Sequence, residues 1–345
     1  MFHVTRSSST RLFYAAYALL TINLISVSSN AAARPLADKA GWGADLGITV
    51  GFTQQQSQFN VDDDNAVTTN LSNSGKETRG GQLLPLARLD FTLDSLKTQY
   101  YVGNSRENVG KGAFQIEVGG SHQFEDNSIL TLAYFPKLPF IGETWKDPYL
   151  TNQTREKTDE TAQGGRIKLK NIAGSYLDVQ YAFADSDIDT ELSGSSLAQL
   201  TDSDRSKLHR DAFYQRVTID QMLSISDNVI IQPGIMYTHA NAKGEANGHD
   251  EYALRLQVIY WKTRHLVTGT ALYGRLKASI DNPVFNKREK TDRASLFALY
   301  KYKKPFNLDN WSLMAIGFWG ETDSNITFYN RSGAGLGIGA TYEWR

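Results

Sequence analysis

Apolar and polar residues alternate along most of the chain in a series of short segments. In one of them, Leu89, Phe91 and Leu93 occupy every second position, and the residues between them are polar. Successive side chains of a β-strand point to opposite faces, so each such segment is predicted to be a strand with one apolar and one polar face. About 14 segments of this kind follow one another from Trp42 to Arg345, without a linker between them.

The connections between these segments alternate between short and long. About six tight turns, such as 226–228, alternate with about seven longer polar loops, such as 185–210, and both chain ends fall on the tight-turn side. Bacterial outer-membrane barrels have short periplasmic turns, longer extracellular loops and an even strand number. The sequence therefore predicts an all-β fold, a transmembrane antiparallel β-barrel of about 14 strands, within a range of about 12–16. A soluble β-protein is the alternative.

The last segment, 333–345, shows the alternation most clearly. Apolar residues from Ala334 to Trp344 alternate with glycines and polar residues from Gly333 to Arg345. Interior glycines weaken an ordinary strand, but a closed barrel supports such a strand on both sides. The pattern resembles the closing strand of an outer-membrane barrel, which we expect the barrel-assembly machinery to recognise. Arg345 departs from the usual pattern, in which the aromatic residue is last.

The N-terminal segment has the features of a secretory signal. Arg6 and Arg11 flank the start of the apolar run LFYAAYALLTINLISV, and 31–33 are small residues suited to cleavage. We therefore expect residues 1–33 to be removed and residues 34–345 to form a single barrel in the outer membrane. An uncleaved anchor is the alternative, although the apolar run is short for a membrane span.

The amino-acid composition narrows the range of protein classes to which the chain can belong. The low mean hydropathy argues against a helical membrane bundle. The 17 Tyr and 28 Gly, against 8 Pro, are typical of a β-protein. Cysteine is absent, so an exported fold must be closed by something other than disulfides. The net charge of −1 leaves no electrostatic footprint for nucleic acid, which we do not expect as a partner.

The polar faces of the predicted strands carry many charges. We expect them to line the lumen, because an Arg or Lys facing lipid at mid-depth costs about 2–4 kcal/mol. The predicted lumen residues are Arg88, Asp90, Glu117, Arg166, Lys168, Asp178, Arg216, Asp220 and Arg255. In one interpretation they border an aqueous pore and orient solutes; in the other they pair into a salt-bridged plug. About 14 strands lie between a filled barrel and an open porin, which favours a narrow, partly obstructed pore.

The long loop at 136–163 is the candidate for a constriction inside that pore. Its candidate contact residues are Glu143, Trp145, Asp147 and Tyr149, and prolines on both sides of the tryptophan stiffen it. The alternative is a recognition loop outside the barrel.

Several short stretches carry a resemblance to a known family. They are GETWKDPYLT at 142–151, which is the most specific, NIAGS at 171–175, SQFN at 57–60 and SNITFY at 324–329. With them the chain resembles the uncharacterised family called domain of unknown function 2860 over nearly all of its mature length. The resemblance implies an exported or outer-membrane β-protein of a Gram-negative bacterium, and it carries over no catalytic residue.

The sequence offers little chemistry of other kinds. The six histidines are scattered over different segments, without the spacing of a metal site, and we expect no cofactor. His239 is a candidate for a Ser–His pair at the barrel rim, although spacing places no serine beside it and a rim histidine is the simpler interpretation. Residues 62–64 are three aspartates without calcium-loop spacing, which indicates a solvated loop.

Three functional classes follow from these patterns. The preferred one is a porin-like passive channel for small hydrophilic or amphipathic solutes. The alternative is a non-conducting surface, adhesion or envelope-structural barrel. An outer-membrane lipid-modifying enzyme is less favoured, and we expect no enzymatic activity. The expected partners are outer-membrane lipid, lipopolysaccharide, the barrel-assembly machinery and a small solute; the sequence does not predict an oligomeric state.

Overall fold

The computed structural model describes residues 36–104, 116–137 and 142–345. The predicted signal peptide at 1–33 lies outside the described residues. The described part of the chain contains a single sheet of 16 β-strands. In chain order they are β1 (Gly41–Gln56), β2 (Glu77–Thr92), β3 (Thr98–Asn104), β4 (Ile116–Gln123), β5 (Ile129–Phe135), β6 (Gly142–Trp145), β7 (Lys157–Lys170), β8 (Leu177–Ile188), β9 (Ala212–Gln221), β10 (Leu223–Ser226), β11 (Val229–Ala242), β12 (His249–Lys262), β13 (His265–Asn282), β14 (Lys287–Lys303), β15 (Trp311–Ser324) and β16 (Arg331–Trp344).

Fourteen of these strands form a closed antiparallel barrel. Each pairs with its neighbours in chain order, and the circle closes where β1 pairs with β16 from Ala44↔Trp344 to Gln56↔Ser332. The other two strands are short additions. β6 pairs with β7, and β10 continues the line of β9 along β11. The predicted barrel of about 14 strands is confirmed.

Short turns and longer loops alternate around the barrel, as predicted. The turn between β12 and β13 spans only 263–264, whereas the loops at 57–76 and 189–211 are long. The second of these contains the α-helix α1 (Asp202–Ser206). Both described chain ends lie on the short-turn side, which we therefore assign to the periplasm. Within the described ranges, no helix is long and apolar enough to cross a membrane.

Two strands begin earlier than the sequence pattern predicts. β2 starts at Glu77, although the apolar–polar alternation in the sequence begins only near 84, and β7 starts at Lys157, although the alternation begins only near 165. The extra residues are polar on both faces, so they carry no alternation, yet they pair along β1 and β8. The predicted constriction loop therefore ends at 156 rather than 163.

The outer wall carries a continuous apolar belt. On β1, Leu46, Ile48 and Val50 are exposed, and on β16 so are Leu336 and Ile338. Their neighbours in sequence point into the barrel. A belt of large apolar side chains on the outside of a closed barrel is typical of a wall that faces lipid.

The glycines of the closing strand lie on its inner face, where there is no room for a side chain. A Cβ on Gly335 would lie 2.4 Å from the ring of Phe318, and one on Gly51 would lie 2.3 Å from the carbonyl oxygen of Leu336. Side chains of β15 and the backbone of the neighbouring strand lie directly over these positions. Glycine is therefore required there by close approach, and it gives β1 and β16 an inner face with few side chains.

Candidate functional site: the barrel lumen and its extracellular cap

All nine charged residues predicted for the lumen lie on the inner faces of their strands. Eight are buried and Arg88 is half-buried, so protein fills the lumen at their level. They belong to six strands: Arg88 and Asp90 to β2, Glu117 to β4, Arg166 and Lys168 to β7, Asp178 to β8, Arg216 and Asp220 to β9, and Arg255 to β12.

The first buried group joins β2, β3, β4 and β7. Arg166 binds the Glu117 carboxylate in a bidentate way, with Nη2 2.8 Å from Oε1 and Nε 3.1 Å from Oε2. The Tyr101 hydroxyl donates to the same carboxylate at 3.0 Å, and the guanidinium of Arg88 stacks 3.6 Å above the Tyr101 ring. The two charges are thus neutralised within the lumen and linked across four strands.

The second group lies on β8, β9 and β12. Arg255 binds Asp220 through both Nε, at 3.2 Å, and Nη2. Asp178 lies directly opposite Asp220 and accepts a hydrogen bond from the backbone N–H of Asn171 at 3.0 Å. Arg216 donates to the hydroxyl of Thr238 at 2.9 Å. This half of the lumen therefore fits the salt-bridged plug better than an open aqueous pore.

One further lumen pair escaped the sequence analysis. Glu251 on β12 is buried and pairs with Arg293 on β14 at 3.3 Å. Glu251 lies four residues before Arg255 and so shares its face of the strand. That spacing was the available signal, but the predicted segment began only at Tyr252.

The opposite side of the lumen is apolar, which the sequence analysis did not predict. Its side chains come from β2, β14 and β15 and form one cluster: Leu86, Phe297, Leu299, Met314, Ile316 and Phe318. Leu84 lies on the same face of β2 as Leu86, and both leucines are half-buried, as are Ile316 and Phe318. These side chains lie against the glycine-rich inner faces of β1 and β16.

The apolar side contains a small cavity. About 10 Å³ in volume, it lies beside Gly51, Leu84, Ile316 and Gly337. That volume holds about one water molecule. Moving an apolar side chain here breaks no ion pair, whereas breaking one buried ion pair on the charged side costs about 3–5 kcal/mol. The lumen is therefore easiest to open along the glycine-rich wall.

The extracellular loops fold together into a packed cap. An aromatic core joins Phe59, Tyr149, Phe328 and Tyr329 from three different loops, and all four side chains are buried. Tyr149 stacks on Phe328 with ring centroids 5.1 Å apart. The Tyr149 and Tyr329 hydroxyls lie 3.0 Å apart, and Asn282 at the end of β13 donates to Tyr329 at 2.7 Å. The loops are thus fixed to one another and to the barrel rim.

Arg155 is the central polar anchor of this cap. Its guanidinium donates to the carbonyl oxygen of Gln58 at 2.9 Å, to that of Asn65, and to that of Pro148 at 3.4 Å. It also lies over the ring of Trp145, 4.6 Å from the centroid, and the Trp145 indole N–H donates to the Gln58 carbonyl oxygen at 3.0 Å. One buried cation therefore ties the first long loop to the predicted constriction loop.

Asp147 and Arg210 attach a third loop to the same core. The Asp147 carboxylate accepts from the backbone N–H groups of Gly194 and Ser196, both at 2.9 Å. Arg210 donates to the carbonyl oxygen of Trp145 at 2.6 Å and pairs with Glu191 at 2.8 Å. These contacts join residues 142–156 to other loops and to strand ends, whereas residues 138–141 of the predicted constriction loop lie outside the described residues. Of the four predicted contact residues, Trp145, Asp147 and Tyr149 are buried. Glu143 lies at the edge of the cap, on β6 opposite Asp159.

Burial shifts the pKa values of three ionisable side chains in the cap. It lowers the pKa of the Arg155 guanidinium to about 10, with the nearby Asp147 carboxylate acting in the opposite direction. Burial also raises the pKa of the Tyr149 and Tyr329 phenols. Both phenols therefore stay neutral well above pH 7, and their hydrogen bonds hold over the physiological range.

At the periplasmic end of the barrel, the side chain of Arg345 pairs with two carboxylates. Arg345 Nη2 lies 2.8 Å from Asp45 and Nη1 lies 3.4 Å from Asp90, while the adjacent Trp344 is exposed on the outer wall. The extra residue after the terminal aromatic thus neutralises two lumen carboxylates on β1 and β2.

Deleting Arg345 should destabilise the barrel only slightly. Its side chain is 41% exposed, and half-exposed ion pairs contribute about 1 kcal/mol or less. We expect a small decrease in the temperature at which the folded band disappears in a heat-modifiability gel. A loss of folded protein on deletion would show instead that Arg345 is needed for assembly. Lys39→Ala, an exposed change at the same end, is the control.

Other candidates from the sequence lie apart from this site. The His239 ring nitrogen Nδ1 is 2.9 Å from the Asp250 carboxylate on the outer rim. Asp63 pairs with Lys157 at 2.8 Å, and the Asp62 carboxylate caps a single 3₁₀ turn. No cluster of three or more metal-ligating side chains is found in the described ranges.

The architecture is that of an outer-membrane-type β-barrel with a filled lumen and a loop cap. The chain belongs to the family of proteins of unknown function DUF2860, whose sequence profile matches residues 41–343. The stretches that carry this resemblance at 57–60, 142–151 and 324–329 meet in the cap. No curated protein sequence matches the chain.

Solved structures that match the chain are distant in sequence. A monoaromatic hydrocarbon channel, CymD, shares 10% identity over 89% of this chain and 89% of its own, with a TM-score of 0.45. A Pseudomonas aeruginosa FadL homologue shares 11% over 88% and 91%, with a TM-score of 0.42. OmpT, an outer membrane protein of Vibrio cholerae, shares 12% over 90% and 100%, with a TM-score of 0.40. At these identities the likeness concerns the fold alone.

Proposed function

We propose that the protein is a narrow outer-membrane channel that is closed at rest by its extracellular cap. Its solute path runs along the glycine-rich inner wall of β1 and β16, between Leu84 and Leu86 on one side and Ile316 and Phe318 on the other. The observation that carries this proposal is the contrast between the two halves of the lumen. One half is held by buried ion pairs, and the other is lined by half-buried apolar side chains over glycines.

The side chains that line this wall indicate which kind of solute the channel would carry. Leu84, Leu86 and Phe318 offer apolar contact, and Gln82 and Arg88 lie on the same face of β2 as the leucines. A small amphipathic molecule, with an apolar body and a polar or anionic end, fits such a lining better than an inorganic ion. Transport is passive in this proposal, and the barrel carries no enzymatic activity.

The belt of apolar side chains supports placement in the outer membrane, with the loops outside. Removal of residues 1–33 as a signal peptide, and recognition of β16 by the barrel-assembly machinery through its outward-facing Trp344, belong to the same proposal.

Two adjacent glycines of β2 allow a matched test of the path. Gly80 faces the lumen with no atom within 4 Å of an added Cβ, whereas Gly81 faces outward and is equally unobstructed up to 4.0 Å. In a protein whose cap has been opened by Arg155→Ala, Gly80→Phe should reduce single-channel conductance several-fold in a planar bilayer. Gly81→Phe should leave it unchanged. Equal conductance in both variants would place the path elsewhere.

A specific observation also favours a non-conducting surface barrel. Hydrogen bonds join the loops of the cap, which also has an aromatic core of its own, as expected of a folded extracellular platform. If variants with a protease-accessible cap and an intact barrel never conduct, this second function replaces the channel. The outward surface of the cap would then be the site of contact with partners.

A further inference from the structure

Two lysines face each other on the outer wall of the barrel. Lys277 on β13 and Lys290 on β14 are direct cross-strand partners, and both are exposed. Like charges directly opposite each other in an antiparallel pair are destabilising. Neither ammonium group makes a salt bridge with a carboxylate of the described residues, so the pair retains its repulsion in the protein alone.

The carboxylates that flank this pair already have partners of their own. They are Asp292 with Arg275 at 2.8 Å, Asp281 with Arg288 at 3.6 Å, and Asp250 with Tyr237 at 2.7 Å and His239 at 2.9 Å. Asp323 lies opposite Asp292 on the far side, on β15, and disfavours an anion there. Asp250 on β12 lies directly opposite Lys277, but it is already bound to Tyr237 and His239. Net positive charge therefore remains between β13 and β14.

The pair lies just above the apolar belt. Towards the periplasm, the same outer faces carry Arg275, then Tyr273, with the exposed apolar residues Leu254 and Leu296 on the neighbouring strands. Tyrosine at the edge of such a belt marks the level of lipid headgroups. A lipid whose acyl chains pack against this wall would hold its headgroup phosphate beside the two lysines.

We propose that Lys277 and Lys290, assisted by Arg275 and Arg288, bind the phosphorylated headgroup of a lipid in the outer leaflet. A phosphate between the two ammonium groups replaces repulsion by two charge-assisted contacts. The exposed guanidinium of Arg275, held to Asp292 through Nε, keeps further donors for a second phosphate oxygen. This site requires the barrel to lie in a membrane but not to conduct.

Lipopolysaccharide is the appropriate probe for this site. We expect its addition to purified protein in detergent to raise the apparent melting temperature. In the Lys277→Gln/Lys290→Gln variant, binding should be at least about tenfold weaker and the rise in melting temperature should be lost. Without lipid, this variant should melt no lower than the unmodified protein, because the like-charge repulsion has been removed. The matched control is Lys262→Gln/Lys303→Gln, which changes the same charge at the periplasmic end.

Three results would overturn the proposal. One is unchanged lipopolysaccharide binding in the double variant. Another is a rise in melting temperature with inorganic phosphate equal to that with lipopolysaccharide, which would assign the site to a free anion. The third is equal stabilisation by phosphatidylcholine micelles, whose headgroup is zwitterionic, which would show that the net negative charge of the headgroup plays no part. Conductance is not measured in any arm, so failure here leaves the channel proposal standing.

Discussion

Replacing Arg155 with alanine should open the extracellular cap and turn rare channel openings into steady ones. The change leaves the carbonyl oxygens of Asn65 and Pro148 without the guanidinium, and it removes the cation from the face of Trp145. A buried acceptor left unpaired costs about 1–3 kcal/mol, so the closed cap should lose about 3 kcal/mol in total. Because about 1.4 kcal/mol is a factor of ten, the open population should rise about a hundredfold.

Single-channel recording and limited proteolysis of the loops measure this effect together. Lys146→Ala is the control in the same loop, because its ion pair with Glu156 is exposed and contributes about 1 kcal/mol or less. A heat-modifiability gel checks that the barrel itself remains folded. If Arg155→Ala leaves the loops resistant to protease, the cap does not depend on this cation. If the loops become cleavable and the barrel stays silent, the lumen is a plug.

The strands could be predicted from the sequence wherever one face meets lipid and the other does not. β16 is the clearest case, since Leu336 and Ile338 face lipid between glycines that face the lumen. Above the apolar belt the outer face meets water, so both faces are polar and the alternation disappears. The first residues of β2, from Glu77, and of β7, from Lys157, were missed for that reason.

The residues that line the lumen could be predicted from the sequence only where they are charged. Arg166 and Arg255 could be assigned from their position between apolar residues, because charge is costly in lipid. Leu84 and Leu86 have apolar neighbours such as Leu83 on the opposite face, so no alternation shows that they point inward. A rule that assigns polar side chains to the lumen therefore cannot detect an apolar patch inside a barrel.

The cap is the feature that the sequence analysis did not predict. The polar stretch at 57–76 shows no pattern of a buried core, yet in the assembled protein Phe59 packs on Phe328 and Tyr329 from the last extracellular loop. These residues are more than 260 positions apart in the chain. Such a core depends on the barrel bringing its loops together, and local periodicity carries no information about it.

Asp220→Ala should destabilise the barrel far more than removal of the whole Asp220–Arg255 pair. The single change leaves the Arg255 guanidinium buried without its carboxylate, which costs about 3–5 kcal/mol. Replacing both residues by apolar ones, as in Asp220→Leu/Arg255→Met, should restore stability to near that of the unmodified protein. Urea unfolding in detergent micelles measures the difference. Asp309→Ala, which breaks an exposed pair with Lys304, should change the unfolding free energy by about 1 kcal/mol or less.

The outcome also bears on the solute path, because the cost of an unpaired charge depends on access to water. If Asp220→Ala costs less than about 1 kcal/mol, Arg255 must be hydrated, as a surface pair would be. Water would then reach the charged half of the lumen, and the path along β1 and β16 would lose its advantage. A cost of about 3 kcal/mol or more, recovered in the double variant, would mean that the charged half stays dry. Solutes would then be confined to the apolar side over the glycines.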